Sequence, residues 1–155
     1  MNCALGSTRR VIKVTALKRD WYELADQGEY SYALLEFVRA YQPATFDEVA
    51  DCLGNHIEIV GDHVLRLARN PDVILWSSMS LQLVQLIGKL IGDDRVSLHC
   101  CESLLYQLNG HVAQVPVIQY IPIGRLAEPS WLPCVLTTKD HDSDATVVVD
   151  EIEWN

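Results

Sequence analysis

The segment Tyr30–Trp76 reads YSYALLEFVRAYQPATFDEVADCLGNHIEIVGDHVLRLARNPDVILW, and its punctuation governs how the fold is read. Ala33, Leu34, Phe37 and Val38 recur at helical spacing, which predicts a helix over Tyr30–Tyr41 stopped by Pro43. Thr45, followed three residues later by Glu48, forms a capping box. The hydroxyl can accept from the third helical N–H while the carboxylate reaches back to the cap. That box opens a second helix, Phe46–Leu53, with Phe46, Val49, Ala50 and Leu53 inward, and Gly54-Asn55 is a turn signal. A third helix is expected from Ile57 or Asp62 to Arg69, ended by Asn70-Pro71. DVILW (Asp72–Trp76) then reads as a buried strand.

Upstream, Arg10–Ala16 alternates like a short strand. A helix is expected from Thr15 or Ala16 to about Asp26, with Leu17, Trp21 and Leu24 on one stripe and Gly28 at its end. Downstream, Met79–Ile91 places Leu83, Leu86, Ile87 and Leu90 on one helix face, with Gly88 as a close-packing position. Gly92-Asp93-Asp94 is a turn, and RVSLH (Arg95–His99) a strand. LARNPDVILW and LIGDDRVSLH therefore share one order: helix end, polar turn, strand. Residues 95–154 read as β-rich, with a hairpin over Arg95–Leu108, a turn at Asn109-Gly110, and Pro116 and Pro122 at edges or bulges. Trp131–Thr138 and Ala145–Trp154 are expected to face each other across DHDSD as a terminal hairpin.

The order of helix 30–41, helix 45–53, a turn at Gly54-Asn55, a helix to Arg69 and a strand resembles a winged helix-turn-helix over residues 30–76, about a third of the chain. The resemblance implies that the helix ending at Arg69 takes the recognition position. His63, Arg66 and Arg69, spaced i, i+3, i+6, would then share a face and reach phosphates or guanine edges. The basic residues Arg9, Arg10, Lys13, Lys18 and Arg19 could add phosphate contacts. The chain departs from the family in following its third helix with one strand and another helix, its hairpin coming only at Arg95–Leu108. The expectation is one α+β domain over residues 1–155. Its N-terminal half is helical and winged-helix-like, followed by short antiparallel β-strands and a C-terminal β-hairpin.

Charge weighs against nucleic acid. The chain holds 12 Lys+Arg against 21 Asp+Glu, and six of the acids crowd the C-terminus: Asp140, Asp142, Asp144, Asp150, Glu151 and Glu153. From Thr45 to Pro71, Asp47, Glu48, Asp51, Glu58 and Asp62 face only Arg66 and Arg69, and repulsion of phosphates erodes the main source of DNA affinity. Arg66 and Arg69 then read as solvated charges, Arg66 pairing with Asp62 at i, i+4. MNCALGSTRR lacks the apolar core of a secretory signal, and Leu81–Ile91 falls short of the roughly 20 residues of a membrane helix. A cytoplasmic location with no membrane partner is expected.

No catalytic signature stands out: G-x-S-x-G, Walker and G-x-G-x-x-G patterns are all missing. Five cysteines, an odd count with an adjacent pair, argue against a disulfide framework, and Cys52 reads as packed in its helix. His99, Cys100, Cys101, His111 and Cys134 lack C-x2-C spacing, so no metal is expected. Asp140, Asp142, Asp144 and Glu151 match positions 1, 3, 5 and 12 of a calcium loop. Ala145 replaces its glycine, and the flanks read as strand, so a polar hairpin turn is the expectation. The composite expectation is a non-enzymatic acidic protein-interaction module without cofactor, an inhibitor or regulator of a nucleic-acid-handling protein. It would bind a basic or neutral protein through the six terminal acids, and homodimer formation is compatible with it. The alternative is a winged-helix DNA-binding transcriptional regulator using His63, Arg66 and Arg69.

Overall fold

The expected helix Tyr30–Tyr41 forms over those residues (α1), burying Ala33, Leu34, Leu35, Phe37 and Val38 in the computed structural model, which describes residues 21–110, 113–139, 148–149 and 152–154. A helical segment over 21–26 precedes it, and Trp21 meets Phe37 edge-on at 5.3 Å between ring centres. The strand expected at Arg10–Ala16 lies outside the described residues. Phe46–Leu53 (α2) carries the complete capping box: Thr45 Oγ1 accepts from the Glu48 N–H at 3.2 Å, and the Thr45 N–H donates to Glu48 Oε1 at 3.1 Å.

The third helix does not form. Val60–Leu67 is a strand (β1), antiparallel to Asn70–Met79 (β2), with a turn at Ala68-Arg69. The apolar set Val64, Leu65, Leu67 and Ala68 suits either period. The strand is favoured because β2 returns at once to satisfy its backbone groups, and Leu65 and Leu67 are buried by alternation. Gly61 fits this hairpin tightly, since a Cβ there would lie 2.6 Å from the Met79 carbonyl oxygen. The first half of the suspected repeat is therefore a strand end, not a helix end.

Leu81–Gly92 (α3) starts at Ser80, whose Oγ accepts from the Leu83 N–H at 3.1 Å and donates to the Glu58 carbonyl at 2.6 Å. Val96–Cys100 (β3) follows. The expected hairpin over Arg95–Leu108 is replaced by β3 and a short helix, Leu104–Gln107 (α4). Ser130–Trp131 (β4), Cys134–Thr138 (β5), Val148–Val149 (β6) and Ile152–Trp154 (β7) complete the elements.

Two sheets result, one ordered β4-β2-β1-β7 and the other β5-β3-β6. The terminal hairpin is corrected here: β5 and β6 do not pair with each other but flank β3 on its two edges. Val96–His99 is buried along its length, so β3 is a central strand and takes a partner on each edge. β6 joins one sheet and β7 the other. α3 packs on β1 and β7 of the first sheet and on β3 of the second. The Trp154 ring lies on α3 where Gly88 leaves room, and a Cβ at Gly88 would stand 2.4 Å from that ring. Gln42 Oε1, past the end of α1, accepts from the Thr138 N–H at 2.8 Å and ties α1 to β5. The architecture is α+β.

Candidate functional site

The segment expected as a recognition helix is extended chain, so the helical spacing that aligned His63, Arg66 and Arg69 does not operate. His63 is half-buried on β1 with Nδ1 enclosed and unpartnered. Arg69 occupies the β1–β2 turn. Arg66 donates to the Pro71 carbonyl at 3.0 Å and stands opposite Glu153 in the β1–β7 register, an oppositely charged cross-strand pair. Asp62 does not share a helix with Arg66.

Three other cations are also engaged, while Lys89 and Arg95 are exposed. Arg125 grips Asp72 through Nε at 2.7 Å and Nη2 at 3.4 Å, which holds the Asp72 carboxyl below its usual range. Lys139 Nζ lies 3.2 Å from Asp94, and Arg39 pairs with Glu36. Acids dominate the remaining described surface: Glu23, Asp51, Glu58, Asp62, Glu102 and Glu128 are all exposed. Among the terminal acids Glu153 is exposed on β7, while Asp140, Asp142, Asp144, Asp150 and Glu151, and with them the calcium-loop spacing, lie outside the described residues.

His56 Nε2 and Asp26 Oδ1 are 2.8 Å apart, with Tyr22 edge-on to the imidazole. This is a carboxylate–histidine arrangement, but the second ring nitrogen is enclosed and unpartnered. A general base needs that nitrogen within reach of substrate, so the pair fastens the 21–26 segment to the turn after α2.

The histidine–cysteine group divides. His111 lies outside the described residues, and no cluster of three or more metal-ligating side chains occurs among the described ones. Cys52 is buried in α2 and burial pushes its thiol up to about 12, in keeping with a packing role. Cys100 and Cys134, 34 positions apart, face each other across β3 and β5. The facing Cys134 thiol lowers Cys100 to about 7, Cys100 in turn raises Cys134, and burial pushes Cys101 up to about 11.

Above the thiols lies an aromatic group no local pattern announced. Trp76 stacks on Phe46 at 5.4 Å and meets Tyr106 at 4.9 Å, and Tyr106 meets Trp131 at 5.3 Å. The fully buried Tyr106 hydroxyl donates to the Cys134 carbonyl at 2.6 Å and accepts from the Phe46 N–H at 3.1 Å. Among the described residues no helix is long and apolar enough to cross a membrane. No family model, curated protein or solved structure matches this chain.

Proposed function

We propose that this chain is a non-enzymatic, acidic protein-interaction module of the cytoplasm that inhibits or regulates a nucleic-acid-handling protein. It engages a basic groove through Asp140, Asp142, Asp144, Asp150, Glu151 and Glu153. One observation carries the reading. On the described surface Arg39, Arg125 and Lys139 are each matched by an acid, Arg66 is held by a carbonyl beside Glu153, Lys89 and Arg95 are exposed, and exposed acids outnumber the cations left to pair with them. Such a surface repels phosphate and attracts a cationic partner, and a run of terminal carboxylates can occupy a groove built for a phosphate backbone. Steering by charge accelerates association and weakens as salt screens it.

The test uses a fluorescent arginine-rich peptide as probe, with anisotropy read between roughly 50 and 200 mM salt. One variant carries Asn or Gln at all six terminal acids. A second neutralises Glu23, Asp51, Glu58, Asp62, Glu102 and Glu128 instead. The terminal variant should lose affinity about tenfold, a difference of about 1.4 kcal/mol, and the body variant much less. Equal losses would show a diffuse charge effect and overturn the reading. Retardation of a duplex at low salt, abolished by Arg66→Ala with Arg69→Ala, would replace it with DNA binding.

A further inference from the structure

We propose that Cys100 and Cys134 form a peroxide-reactive dithiol site: a hydroperoxide oxidises Cys100, and Cys134 resolves the product to a cross-strand disulfide. The inference is independent of the acidic interaction surface.

The geometry comes from the ladder. Cys100 and Cys134 are register partners in the antiparallel β3–β5 pair. The Cys101 N–H donates to the Pro133 carbonyl at 2.9 Å, so the hydrogen bonds flank the cysteine pair instead of joining it. Such non-hydrogen-bonded partners have Cα atoms about 4.5 Å apart and side chains on one face. That lies inside the roughly 4.4–6.8 Å that a disulfide spans, so the bond can close without moving either strand far.

The two thiols have different surroundings. Cys100 is half-buried at the end of β3, whereas Cys134 is fully enclosed. An oxidant from solvent therefore meets Cys100 first. The Cys134 thiol donates to the Leu132 carbonyl at 3.5 Å, and its register partner across the ladder, Cys100, is the alternative acceptor. Turned toward Cys100 it stabilises the thiolate, the nucleophilic form, near neutral pH. Cys101, one residue on, has no such donor and stays protonated, its thiol up at about 11.

The chemistry balances with a hydroperoxide as the two-electron oxidant. The Cys100 thiolate attacks the distal peroxide oxygen. The S–O bond forms as the O–O bond breaks, and the departing alkoxide or hydroxide takes a proton from solvent. Cys134 sulfur then attacks the sulfenic sulfur. The S–S bond forms as the S–O bond breaks, and the leaving hydroxide carries off the Cys134 proton as water. Two thiols are oxidised and one peroxide is reduced.

The test treats the full chain with hydrogen peroxide and maps tryptic peptides under non-reducing conditions. Arg95 and Arg125 place Cys100 and Cys101 in one peptide, so the mapping is done on Cys101→Ser as well as on the natural sequence. Both proteins should yield the 96-to-125 peptide crosslinked to the peptide bearing Cys134, two hydrogens lighter. Cys100→Ser should not form this crosslink, and Cys134→Ser should accumulate a dimedone-trappable sulfenic acid at Cys100. A crosslink that persists in Cys100→Ser, or that is lost in Cys101→Ser, would overturn the assignment. A second readout needs no substitution in the pair. The rate of iodoacetamide labelling at Cys100 of folded Cys101→Ser should rise with a midpoint near pH 7. A midpoint at or above about 8.5, the ordinary thiol value, would equally overturn it.

Discussion

Replacing Tyr106 with Phe tests whether the hydroxyl between α2 and β5 joins the two halves of the molecule. The ring would keep its packing against Trp76 and Trp131, so the perturbation is confined to one oxygen. Two main-chain groups lose their partner: the Phe46 N–H, which lies in the first turn of α2 and has no intrahelical acceptor, and the Cys134 carbonyl, which points away from β3 because its pair with Cys100 is of the non-hydrogen-bonded kind. An orphaned buried group costs about 1–3 kcal/mol, and the two together should cost roughly 2–4 kcal/mol. For a chain of this size the melting temperature should fall by roughly 4–16 °C. Urea denaturation monitored by circular dichroism would show a lower midpoint with an unchanged slope. A loss below about 0.5 kcal/mol would refute the argument, because both main-chain groups would then have other partners. The same hydroxyl predicts a pH effect. Burial raises the Tyr106 phenol above its ordinary value of 10.0, so its contribution is complete below pH 10 and declines as the unfolded chain ionises above it. Tyr106→Phe should lose less stability than the natural sequence between pH 10 and 11.

Two further outcomes follow from the geometry. Gly61→Ala should destabilise by about 1–3 kcal/mol, since its Cβ meets the Met79 and Ser80 backbone, which cannot swing aside. Gly88→Ala should cost less, because the obstacle is the Trp154 ring, which can move; the sign of it is a red shift in tryptophan emission as that ring leaves α3. Asp72→Asn should flatten the acid limb of the stability curve. The lowered Asp72 carboxyl stabilises above its unfolded value of 3.8, and that share is lost as pH falls through the folded value, so the gap between variant and natural protein should close below pH 3.8 in thermal melts across pH.

What was legible in the sequence was written in neighbouring residues. Thr45 and Glu48 cap α2 from within one turn, and Pro43 ends the pattern of α1, so both helices fall where the spacing placed them. Ser80 caps α3 in the same local way, but the apolar spacing misses it and starts the helix at Met79, which is the last residue of β2. Gly88 as a close-packing position was also readable, although the ring that fills the space, Trp154, was not. The stretch Val60–Leu67 misled because its apolar residues satisfy two periods at once, and only the strand that returns at Asn70–Met79 selects one.

The candidate sites divide along the same line. The excess of acid was plain from composition, and the lack of a metal-binding spacing was plain from the cysteine positions. That Arg66 stands against Glu153, and Cys100 against Cys134, depends on registers between strands far apart in the chain. Caps, turns and proline stops act over a few residues and are fixed by the amino acids that carry them. Ladder partners are set by which strands reach the same edge after the core closes, and so only the tertiary structure decided that β3 lies between β5 and β6 and that two cysteines share one face.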